Sequence, residues 1–61
     1  MNTLRYLKLY ANEMIDMYPS LEEPILEYYQ LACDEVEDGE SETNEVNLAI
    51  SSINELVEAN C

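Results

Sequence analysis

The chain is 61 residues long, 48% hydrophobic, and carries 14 acidic side chains against 2 basic ones, a formal net charge of −12 at pH 7. That length bounds the fold at one domain, 1–61, which buries only about 60% of the surface its unfolded form exposes, so self-association is open. The charge argues against nucleic acid, nucleotides or an anionic membrane as direct ligands, because all of them need clustered Lys and Arg.

Taken in order, Asn2 or Thr3 can cap a first helix whose apolar residues fall at Leu4, Leu7, Ala11, Met14 and Tyr18. Alternating steps of three and four make one helical stripe. Tyr6, Tyr10 and Ile15 widen it, which predicts contact with more than one neighbour. Pro19 ends this helix, since it biases Tyr18 away from helical geometry and has no backbone N–H. Ser20-Leu21-Glu22-Glu23 then reads as a capping box opening a second helix, with Pro24 tolerated in its first turn. Leu21, Ile25, Tyr28, Ala32 and Val36 form its inner line, with Leu26, Tyr29 and Cys33 beside it.

Gly39, the only glycine, terminates the second helix by supplying a left-handed conformation. Ser41 or Thr43 caps a third helix with Glu42 and Glu45 in its first turn. Val46, Ala49, Ile50, Ile53, Leu56 and Val57 make its apolar stripe. Nothing alternates like a strand. The expected fold is therefore all-α, a small antiparallel three-helix bundle with helices at about 3–18, 21–38 and 42–59. A homodimer built on the second and third helices is the alternative.

The stretch 34–45 holds seven of the fourteen acids. It resembles a damaged calcium loop. With Gly39 at position 6, Asp34, Asp38, Glu40, Glu42 and Glu45 fall at ligand positions 1, 5, 7, 9 and 12. Val36 at position 3 offers no side-chain oxygen, Ser41 sits where an apolar residue belongs, and no second loop exists. A capped hairpin turn is the primary reading and a degenerate EF-hand-like calcium site the minor one.

No enzyme is expected, and no cofactor. Without histidine, Ser–His, Cys–His and His-ligated metal sites cannot be built. Paired carboxylates need a cleft that shifts one acid's pKa, and a bundle this small rarely forms one. Cys33 in an apolar pattern and Cys61 at the end make no disulfide framework, and no apolar run or signal peptide is present, so a cytoplasmic location is expected. All five aromatic residues are tyrosine, which suits half-buried positions at an interface. Tyr28 and Tyr29 point a quarter turn or more apart, so at least one is a candidate contact.

Any charged partner should be basic. The leading hypothesis is a small acidic protein-binding module that occupies a basic, nucleic-acid-binding surface of a partner. Asp34, Glu35, Glu37, Asp38, Glu40, Glu42 and Glu45 would be its leading edge, extended by Glu22, Glu23 and Glu27. In size and charge the chain resembles the small acidic proteins that phages and mobile elements use against host nucleases, restriction systems, CRISPR effectors or polymerases. That resemblance is one of type and rests on no residue motif. The alternative is an adaptor that binds or homodimerises through its apolar faces and tyrosines, the acids serving solvation only.

Overall fold

The computed structural model describes residues 3–60. Expectations placed on Asn2 and Cys61 lie outside that range. Three helices follow in order: α1 (Leu4–Met17), α2 (Glu22–Glu37) and α3 (Glu42–Ala59). At 1.5 Å per residue the 18 residues of α3 span about 27 Å. The molecule measures 33 × 18 × 18 Å, so the helices run along its long axis as an antiparallel three-helix bundle.

Local chemistry sets each boundary. Thr3 is extended (φ −111°, ψ 165°) and its hydroxyl accepts from the Tyr6 N–H at 3.2 Å, closing the start of α1. Tyr18 leaves helical geometry (φ −131°, ψ 70°) ahead of Pro19, as a residue before proline is biased to do.

The link to α2 corrects one expectation. Ser20 and Glu23 do not form a capping box. Pro19–Leu21 make a single 3₁₀ turn, Leu21 occupies the N-cap of α2, and no side chain caps that end. The reason is Pro19, whose fixed φ already suits the first position of a helical turn. The chain re-enters helical geometry there, before Ser20 can take the extended conformation a capping serine needs.

The turn from α2 to α3 does follow the glycine. Gly39 has φ +106°, its N–H donates to the Val36 carbonyl at 3.1 Å, and the Glu40 N–H donates to the Glu35 carbonyl at 3.0 Å. These two bonds are the pair that closes a Schellman motif. Of the two capping candidates for α3, Ser41 serves: its hydroxyl accepts from the Asn44 N–H at 3.4 Å.

The core is small and aliphatic. Leu7 and Ala11 from α1, Ile25 and Ala32 from α2, and Val46, Ala49, Ile53 and Val57 from α3 are buried. All eight lie on the three stripes read from the spacing. No aromatic ring is fully buried among the described residues: Tyr10, Tyr18, Tyr28 and Tyr29 pack half-buried against the core, and Tyr6 is exposed. No described polar or charged residue is buried either.

Candidate functional site

The fold sorts the acids. The C-terminal part of α2, the Gly39 turn and the start of α3 put Asp34, Glu35, Glu37, Asp38, Glu40, Glu42 and Glu45 in one half of the bundle. Because α1 runs parallel to α3, Arg5 and Lys8 fall in that same half, leaving it at −5. The other half takes Glu13 and Asp16 from α1, Glu22, Glu23 and Glu27 from α2, and Glu55 and Glu58 from α3, with no cation, a charge of −7. The hinge is therefore one of two acidic poles. It is the less negative one, which the chain order alone does not reveal.

All of these carboxylates are exposed except Glu45, which is half-buried. The five calcium-loop candidates do not come together as a loop. Asp34 lies within α2, Glu42 and Glu45 lie within α3, and only residues 38–41 connect the helices. Among the described residues no three His, Cys, Asp or Glu side chains converge on a metal-sized space. The stretch is two helix ends and a Schellman turn.

Glu42 has a different role. Its Oε2 accepts from the Leu4 N–H at 2.8 Å, across 38 positions of sequence. The first turn of α1 has no acid of its own. A carboxylate borrowed from α3 thus satisfies one of the free amides of α1 and faces the positive end of its dipole. The sequence places Glu42 in the first turn of the third helix, in a partner-binding edge and in a degenerate calcium loop, but gives it no role toward the first helix. The lack of an acid in the first turn of α1 was the available signal, but only the topology supplies the acid.

A second feature lies along α2 and α3. A furrow of about 300 Å³ runs between them, floored by Ala32 and Ala49 and walled by Tyr28, Leu31, Leu48 and Ser52. Glu35 and Glu45 stand at its edge. Leu31 and Leu48 keep 57% and 62% of their surface exposed although both line the furrow. Tyr28 and Leu31 also line the neighbouring hollow on α2, where Glu27 and Asp34 add two more carboxylates. Tyr29 faces a separate depression with Leu26 and Glu23, so the two adjacent tyrosines serve different surfaces.

Two tyrosines hold their protons more tightly than usual. Burial, and then the like charge of Tyr6, raise Tyr10 above its ordinary value of 10. A hydrogen bond with the Cys33 side chain, followed by burial, raises Tyr29.

No described helix is long and apolar enough to cross a membrane. Comparison of the chain with protein-family models, with curated proteins and with solved structures finds no match.

Proposed function

We propose that this chain is a small acidic protein-binding module that occupies a basic, nucleic-acid-binding surface of a partner protein and so inhibits or regulates it. Phage and mobile-element anti-defence proteins of the DNA-mimic, anti-restriction and anti-CRISPR kind work this way, in the cytoplasm. The observation that carries the reading is where the acids sit. Asp34, Glu35 and Glu37 lie at the C-terminal end of α2, where the helix dipole is already negative, and no helix has a basic residue in its last turn. Such charges oppose folding of the helix that bears them. A coat needed only for solubility has no reason to be placed against the helix, whereas a surface shaped for a cationic partner has.

The test is capture of partners from a host lysate by the tagged protein, followed by competition with duplex DNA for whatever is captured. A nucleic-acid-binding protein should be retained at low salt, released at high salt, and displaced by the DNA. Replacing Glu37, Asp38 and Glu40 with lysine should weaken its retention. Retention that is indifferent to salt, to DNA and to these substitutions would overturn the reading.

A further inference from the structure

We infer that the furrow between α2 and α3 is a docking groove for a cationic amphipathic helix of a partner protein. This rests on the reading of the chain as a binder of basic surfaces, and adds the face that makes the contact and the chemistry of what it takes. A single exposed leucine on a protein surface is ordinary. Here two of them, Leu31 and Leu48, line one furrow from opposite helices and share it with the ring of Tyr28. The alanines at 32 and 49 keep its floor low. Apolar walls over a shallow floor are the shape into which a helix lays side chains spaced at i, i+3, i+4 and i+7.

The charge at the rim identifies the occupant. Glu35 and Glu45 flank the furrow, with Glu27 and Asp34 at its continuation around α2. An occupant with leucine-like residues facing inward therefore needs lysine or arginine along its flanks. A second copy of this chain is the wrong occupant, because it would bring its own net −12 against these carboxylates. A volume of about 300 Å³ has room for a few anchoring side chains of a helix laid along the furrow.

The probe is a peptide of leucine and lysine alone, its leucines on one helical face, beside a scramble of the same composition with no apolar face. Binding to the isotopically labelled protein is followed by nuclear magnetic resonance. The helical peptide should bind roughly tenfold more tightly than the scramble and shift the amides of Tyr28, Leu31, Ala32, Leu48, Ala49 and Ser52. Leu31→Ser with Leu48→Ser should reduce it to the level of the scramble. Both side chains are mostly exposed, so the variant keeps its fold, and its spectrum checks this. A Glu35→Gln, Glu45→Gln variant tests the rim without touching the leucines, and should weaken the helical peptide and lessen its salt dependence.

Equal binding of both peptides, with shifts centred on 37–40, would overturn the groove and leave the acidic-surface reading standing. Unchanged affinity in the leucine variant, or no binding of either peptide, would overturn it too. If the groove amides move with protein concentration alone, the occupant is a second copy and the inference fails.

Discussion

At the scale of single residues, the tyrosines carry a consequence for alkaline pH. A buried phenol is favoured over a buried phenolate, and a phenol that donates a hydrogen bond is favoured further. The folded-state pKa values of Tyr10 and Tyr29 are therefore raised above 10. For such groups the stabilising contribution is complete below the unfolded-state value and is lost as pH climbs through the folded-state value. Stability should hold up to about pH 10 and fall above it. Ultraviolet titration of the tyrosinates should show these two rings ionising late. Tyr29→Phe removes the bond to Cys33, and its stability should fall less steeply at high pH. An identical alkaline profile for the variant would show that this pair is not the cause. The use of tyrosine throughout has a packing basis as well: the core is closed by leucine, isoleucine, valine and alanine, and Tyr10, Tyr18, Tyr28 and Tyr29 pack half-buried at its edge.

At the scale of elements, the α2–α3 turn depends on one backbone conformation. A β-carbon at Gly39 would meet nothing within 4 Å, so a side chain there fits in space and is disfavoured only by φ +106°. Gly39→Ala should cost about 1–2 kcal/mol, read as a lowered urea midpoint with an unchanged slope. No loss would mean that the turn relaxes to another form. The glycine and its role were legible in the sequence, as were all eight buried positions, because stripe spacing and a lone glycine are local signals. The Ser20 capping box does not form, since Pro19 decides the local geometry first and a motif match does not weigh such competitors. The pairing of Glu42 with Leu4 and the division of acids between two poles were not legible. Both depend on which helix ends the topology brings together. The furrow is not legible either, for a similar reason: Leu31 and Leu48 lie off the stripes of their helices and gain meaning only when the two are set side by side.

At the scale of the whole molecule, self-repulsion opposes a small core. Among the described residues eight are buried, three of them alanine, and they hold together a chain of net −12. Screening shortens the reach of surface charges to about 8 Å at physiological ionic strength and about 3 Å at 1 M. The melting temperature should therefore rise with sodium chloride, most steeply at low concentrations. A melting temperature that stays flat or falls would mean that the acids do not strain the fold. On the proposed reading, salt should thus strengthen the fold while weakening attachment to the basic partner, so release at high salt could not be put down to unfolding.

The near-even division of charge also bears on how the molecule would meet the proposed basic partner. Poles of −5 and −7 at the two ends of a 33 Å body give a strong monopole and only a weak dipole along the axis. A cationic surface draws such a particle in quickly but exerts little torque on it. Arrival at the proposed partner would be fast and undirected, with either end or any side leading. On the proposed reading, orientation would then be settled by short-range fit after contact, with charge setting the rate of encounter and sharing retention with the apolar relief of the furrow.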